Sequence, residues 1–371
     1  MYTATENGAL YNGTASAAIG NTYRTGNIRP SLTTSWEIGT DLRLFDLLGL
    51  EFTYYVDDNK DKILTLDIDP TTGFSAYQIN AGKIQRKGFE ASISANPFRS
   101  GSSGFNWDVA LNFGRNRSMV VELADDIQTY LADFQRNETR LEHRVGKEWG
   151  MLVGRMWNRD EAGNVIIGSN GIATYSNNQE KGTIQPDYTG GLFNNLSYKG
   201  FNLSFYLDFQ NGGLFHSLTK IYGLGAGLHE NTVGVNDKGN DWRDFPGAYT
   251  LENGNSGNGR ILVPGVFANG TPNNRYIPAR SYFYTALQRD NINQMVLEKL
   301  REVRLGYELP KAILGRFIKG ANFGVMVSNA LLIYAPAKEF GVDPSELENI
   351  WYEGGQLPST RTTGFNLRVR L

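Results

Sequence analysis

Residues Phe201 to Gln210 read Phe-Asn-Leu-Ser-Phe-Tyr-Leu-Asp-Phe-Gln, with apolar residues at every odd position and mostly polar ones between. Because successive side chains of a strand point to opposite faces, this spacing makes one oily side and one wet side. The same alternation recurs in Trp36–Leu44, Phe89–Asn96, Phe105–Phe113, Glu302–Leu309 and Phe365–Leu371. Repetition at this length predicts an all-β protein, a transmembrane antiparallel β-barrel with lipid outside and a polar lumen inside. On this reading Phe201, Leu203, Phe205, Leu207 and Phe209 face lipid, whereas Asn202, Ser204, Asp208 and Gln210 face the lumen.

A barrel of this kind joins its strands by short turns at one rim and long loops at the other. Phe45–Gly49, Pro97–Gly104, Lys199-Gly200 and Pro310–Lys319 read as short connections. They alternate with long polar stretches, Val56–Gly82, Met119–Pro186, Gly212–Gln294 and Tyr334–Thr360. Arg140–Trp157 reads equally well as a strand pair or as loop folded into the lumen. The longest stretch, Gly212–Gln294, is rich in Asn and Gly yet carries many aromatics, which points to a functional surface.

Composition narrows the classes. Of 371 residues 40% are hydrophobic, 12% are aromatic and 43 are glycine, as in a turn-rich all-β chain. No run approaches the roughly 18 apolar residues of a membrane helix. Lys+Arg 36 against Asp+Glu 38 gives a net charge of -2, so no electrostatic case exists for nucleic acid. Without cysteine the chain has no disulfide, thiolate metal site or cysteine nucleophile. The polar segment after Met1 lacks basic and apolar targeting regions, so the start of a secreted barrel is expected to lie upstream.

Sites of chemistry are few. Asp57-Asp58-Asn59-Lys60-Asp61 opens like a calcium loop, but Lys62 and Ile68 stand where Gly and Glu are required, which favours a solvated loop tip. Gly223-Leu224-Gly225-Ala226-Gly227 misses dinucleotide spacing and reads as flexible loop. His143, His216 and His229 have no ligand partners nearby in sequence, and no Gly-x-Ser-x-Gly elbow occurs, so no metal, cofactor or catalytic residue is expected. Aromatics on outward strand positions, such as Trp36, Trp107, Phe201 and Phe209, suit lipid or the interfacial girdles. Trp149, Trp157, Trp242, Tyr282, Tyr284, Trp351 and Tyr352 lie in the outer loops, where flat rings suit a sugar face, a partner surface or the packing of the loop itself. Trp242, Tyr282 and Tyr284 lead as contacts for ligand or partner, followed by Trp157, Trp351 and Tyr352.

Several short strings then point to a family: Ser35-Trp36-Glu37-Ile38-Gly39, Lys87-Gly88-Phe89-Glu90, Gln185-Pro186-Asp187-Tyr188 with Gly190-Gly191, Leu300 to Pro310, Gly341-Val342-Asp343-Pro344 and Pro358-Ser359-Thr360-Arg361. In this order they resemble the carboxyl-terminal half of SusC-like TonB-dependent outer-membrane transporters, from about Leu32 to Leu371. The resemblance implies roughly half of a plugged barrel of about 22 strands. Residues 1–32 would be the remnant of an extracellular loop and 33–371 the barrel part. It further implies an oligosaccharide or peptide substrate, a SusD-like surface lipoprotein as lid, and a TonB complex acting through an amino-terminal part not represented here. Leu371 stands where the family commonly ends on Phe, and Arg29 to Thr33 lacks the family's glutamate. The competing readings are an outer-membrane barrel enzyme, for which only the three histidines could serve as base, and an all-β carbohydrate-binding or adhesin module with shorter strands and more equal loops.

Overall fold

The structure, a computed structural model, describes residues 2–4, 10–11, 14–15, 17–24, 26, 28–100, 104–124, 127–135, 139–236, 239, 241–242, 249–250, 256–257, 260–283, 292–315 and 317–371. Nine strands make one antiparallel meander: β1 (Leu32–Leu44), β2 (Leu48–Lys60), β3 (Lys83–Arg99), β4 (Asn106–Glu122), β5 (Pro186–Tyr198), β6 (Phe201–Gly212), β7 (Leu297–Glu308), β8 (Gly320–Tyr334) and β9 (Thr362–Arg370). Each lies beside its neighbours in the chain, and β1 and β9 are the edges. This is a stretch of barrel wall. Most of the strands are longer than the roughly 9–11 residues a crossing needs, so their upper ends stand clear of the bilayer.

The lower rim is made by the short connections. Phe45 and Asp46 both take positive φ (55° and 50°), as do Lys199 and Gly200 (46° and 87°), the pattern of the turn whose twist matches a hairpin. At Gly200 the left-handed backbone needs no Cβ, and its carbonyl takes the amide of Glu308 from the next strand at 2.8 Å. Several strand ends run past the boundaries read from the sequence, two of them instructively. β3 continues past Pro97 to Arg99, because a register shift between Ala95 and Phe98 accommodates the residue that cannot donate a ladder bond. The acidic run Asp57 to Lys60 is the upper end of β2 and not a loop tip, its backbone paired with β1 on one side and β3 on the other, while Asp61, at positive φ just beyond the strand, pairs with Arg29 at 3.1 Å.

Above the rim the long connections fold. Thr129–Gln135, Thr139–Arg144, Met151–Trp157 and Tyr175–Thr183 form a four-stranded sheet, which settles Arg140–Trp157 as a strand pair. Leu214–Ser217 pairs with Ile292–Gln294 and, in parallel, with Tyr352–Glu353. Gly223 and Gly225 belong to a helix, α1 (Leu218–Gly225), capped by Ser217, not to flexible loop. One core joins three connections: Leu141, Leu152 and Ile184 meet Phe215 and Met295, and Ala337, Val342 and Trp351 close it. A second gathers Ile167, Ala173, Ile261, Val263, Ile277, Ala279 and Phe283.

Candidate functional site: the inner wall and mouth of the barrel

The two faces of the sheet differ in chemistry, and registry shows which residue lies on which. On the outer face Phe52, Phe89, Phe113, Tyr188 and Phe209 form a ring-to-ring row across five strands, with centroids 5.4–6.4 Å apart. A lower row includes Phe98, Phe105 and Trp107, and Phe201 against Tyr307 at 4.4 Å. From Phe201 to Phe209 along β6 is about 27 Å of strand, which at a typical tilt of about 40° stands roughly 20 Å tall, close to a barrel's apolar band. Between and beside the rows Leu305 is 50% and Phe365 73% exposed, as side chains that face lipid should be. Directly above the upper row the same face turns polar at Lys87, Arg115 and Arg117, the last paired with Glu148 and Asp187.

The inner face is mostly polar, with Phe193, Tyr206 and Met326 as its larger apolar or aromatic members. Glu51, Thr53, Glu90, Ser92, Asn112 and Asp208 line an open trough of about 470 Å³. Its floor depends on glycine: Tyr206 lies over Gly191 on the inner side while Phe209 lies over Gly190 on the outer side, and a Cβ at either position would collide with the ring. The Gly190-Gly191 string is therefore a packing requirement on both faces at once. Tyr55 likewise covers Gly88.

At the mouth the loop after β8 is anchored to the wall. Lys299 points inward and is only 2% exposed; its ammonium donates to Asp343 at 2.7 Å, Ser345 at 3.0 Å and Glu346 at 3.1 Å. Arg301, at a bulge in β7, joins Asp208 of β6 (2.8 Å) to the same Glu346 (3.0 Å). Burial pushes the Asp343 carboxyl up, but hydrogen bonds from Lys299 and Ser345 outweigh it and hold the group below its ordinary value. Ser359 also donates to Asp343 at 3.3 Å. Three of the strings that are distant in sequence, around Arg301, Asp343 and Ser359, thus meet at one ion-pair knot.

A second cavity, of about 410 Å³, opens between the upper ends of β1 to β4 and Trp149. Trp149 is held rigidly. Its amide donates to Ser118 O (2.8 Å), its carbonyl accepts from Gln185 Nε2 (3.1 Å) and Thr183 Oγ1 (3.0 Å), and its ring stacks on His143 at 4.9 Å. The Gln185 carboxamide also takes the amide of Ser118 (2.7 Å) and donates to its carbonyl (2.9 Å), closing the strand edge just before Pro186, which has no N–H. Burial lowers the His143 pKa from 6.5 to about 4, so the imidazole under Trp149 is neutral.

The aromatics singled out in the loops divide between the two cores. Trp157, Trp242 and Tyr282 each pack against the second, with Trp242 5.9 Å from Phe283. Trp351 is 1% exposed inside the first, its indole N–H on Asp133 at 3.1 Å, and this burial leaves no face for a ligand. Tyr352 stands edge-on to it at 5.1 Å. Tyr284 lies outside the described residues. Neither the knot of Lys299, Arg301 and Asp343 nor the cavity beside Trp149 follows from the positions of the loop aromatics. The lumen positions were legible from parity in the strands, but their loop partners were not. Among the described residues no His, Asp and Glu cluster that could hold a metal ion occurs.

Comparison with known proteins fits this geometry. Residues 2–211 match the family described as TonB dependent receptor-like, beta-barrel. TonB-dependent receptor P3 of Formosa agariphila is 24% identical over 93% of this chain and 34% of its own length. Receptor P26 of the same organism is 24% identical over 92% of this chain and 35% of its own. The chain thus spans about a third of the length of these curated relatives. Among solved structures, that of the RagAB peptide transporter superposes on 99% of this chain and 37% of its own with a TM-score of 0.66 at 15% identity. RagAB in its open-open state gives a TM-score of 0.65 at 17% identity, which shows a shared fold. The relatives are receptors and not enzymes, and the resemblance read from the short strings stands: the chain belongs to the TonB-dependent receptor β-barrel family, and its strands lie in the outer membrane.

Proposed function

We propose that this chain forms part of the wall and mouth of a SusC-like importer that brings oligosaccharides or peptides across the outer membrane. The observation that carries the reading is the continuity of the polar inner face, from the trough at Glu51 and Asp208 up to the cavity at Trp149, behind an outer face bounded by two aromatic rows. In this reading a SusD-like surface lipoprotein lids the mouth, and the TonB complex supplies energy through a plug. The RagAB structures, described as a peptide importer seen closed-closed and open-open, support a mouth that opens and shuts. Trp242, Tyr282 and Tyr284, with Trp157 and Tyr352, are the proposed loop contacts for ligand or lid. Trp157, Trp242 and Tyr282 each pack against the second core, which gives these three rings a fixed setting.

The test uses the native host with the chromosomal copy altered. Deleting the gene should abolish uptake of the labelled oligosaccharides or peptides that the wild type imports, and Trp242→Ala should reduce uptake or lipoprotein pull-down with outer-membrane abundance unchanged. Wild-type uptake in the deletion strain refutes the importer reading. Wild-type behaviour of a triple alanine variant at Trp242, Tyr282 and Tyr284 removes this loop from it.

A further inference from the structure

We propose that the cavity beside Trp149 is a binding subsite for a pyranose ring of an oligosaccharide, an inference that rests on the importer reading. At about 410 Å³ it lies within the range of roughly 300–1,000 Å³ typical of small-ligand sites. Three features select a sugar. The first is a preorganised ring: Trp149 is fixed through its backbone to Ser118, Thr183 and Gln185 and backed by His143, so stacking an apolar sugar face against it orders nothing new.

The second is a mixed set of donors and acceptors. Asp57 and Arg86 stand 3.9 Å apart, a loose pair that leaves both groups capacity for hydroxyls, and Asn116 lines the same wall. Asn59 donates to Thr33 Oγ1 at 2.9 Å, but its carbonyl oxygen is buried and has no partner among the described residues. A buried acceptor left without a donor costs about 1–3 kcal/mol, and a ligand hydroxyl is the donor that would relieve it. The third feature argues against a peptide as occupant. An extended peptide is captured by the free backbone edge of a sheet. Here β2 and β3 are paired on both sides, the upper edge of β4 is closed by Lys147 to Trp149 and by the Gln185 side chain, and among the described residues around the cavity only the far edge of β1, on the side away from β2, is open.

The test compares uptake of fluorescently labelled neutral glucan, xylan and mannan oligomers, and of a labelled tryptic peptide pool, in native cells carrying the wild type, the deletion, Trp149→Ala, Trp149→Phe or Asn116→Ala. The inference requires uptake of at least one glycan that is lost on deletion and falls about tenfold at subsaturating concentration in Trp149→Ala, the loss of one stacking contact. Trp149→Phe should recover most of that uptake, because a flat ring is retained. Asn116→Ala changes an exposed strand residue and should reduce glycan uptake with normal abundance and heat-modifiable migration, which covers the case in which Trp149→Ala fails to assemble. Chain-dependent uptake of peptides alone, or glycan uptake that neither Trp149→Ala nor Asn116→Ala reduces, overturns the subsite and leaves the importer reading intact. Full uptake of every probe in the deletion strain overturns both.

Discussion

Replacing Lys299 by Met should release the loop after β8 from the barrel wall. The ammonium is 2% exposed and has three acceptors within 3.1 Å, and the side chain of Asp343 is itself only 12% exposed. Removing one partner of a buried ion pair costs about 3–5 kcal/mol, mostly because the other charge stays buried. Glu346 retains Arg301 at 3.0 Å and is 35% exposed, so only Asp343 is left uncompensated, and Ser345 and Ser359 still donate to it. The lower end, about 3 kcal/mol, is therefore expected, equivalent to roughly 100-fold more local opening. Hydrogen exchange on protein extracted from native outer membrane measures this. The amides of Gly341, Val342 and Glu346, bonded to Lys338, Ala337 and Asp343 carbonyls, should exchange about 100-fold faster while the β3 and β4 ladder amides do not change. Lys299→Met with Asp343→Leu removes both charges and should exchange more slowly than Lys299→Met alone. Rates for Lys299→Met within about threefold of wild type would refute the anchor. The carboxyl of Asp343 is held below its ordinary value, so its contribution is present above the unfolded pKa and fades as pH falls through the lowered one.

Phe205→Arg places a charge on the outer face of β6 and should cost on the order of 2–4 kcal/mol near the midplane, whereas Ser204→Arg on the inner face should be tolerated; equal loss of heat-stable barrel at both positions contradicts the face assignment. His143, lowered by burial from 6.5 to about 4, stabilises its sheet fully only above pH 6.5. Roughly 3 kcal/mol should be lost as pH falls from 6.5 to 4, read as faster limited proteolysis of Thr129–Thr183, and His143→Phe should flatten that dependence. Residues 1–371 expressed alone should aggregate, because β1 and β9 each have one strand neighbour among the described residues and an unpaired backbone group in lipid costs several kcal/mol. A compact, heat-modifiable monomer in detergent would contradict this.

Every wall strand named from alternation is present, and its apolar positions lie on one face, because in a strand the side chain's direction depends only on parity. The sequence alone therefore settled which side of Phe205 or Asp208 meets lipid or lumen, and the tight turn at Lys199-Gly200 was equally local. Ends of strands were less legible: the acidic Asp57 to Lys60 reads as loop until β1 and β3 are seen to hold its backbone on both sides. Across the loops parity gives no guidance. Lys299 and Asp343 lie 44 residues apart, and nothing local shows that one neutralises the other. Trp351 has the same composition cues as Trp242, yet one is sealed in a core built from three separate connections and the other is half-buried. Burial there is the property of a long-range assembly, and so the cavity beside Trp149, made where a loop turn closes the edge of β4, was decided only by the tertiary structure.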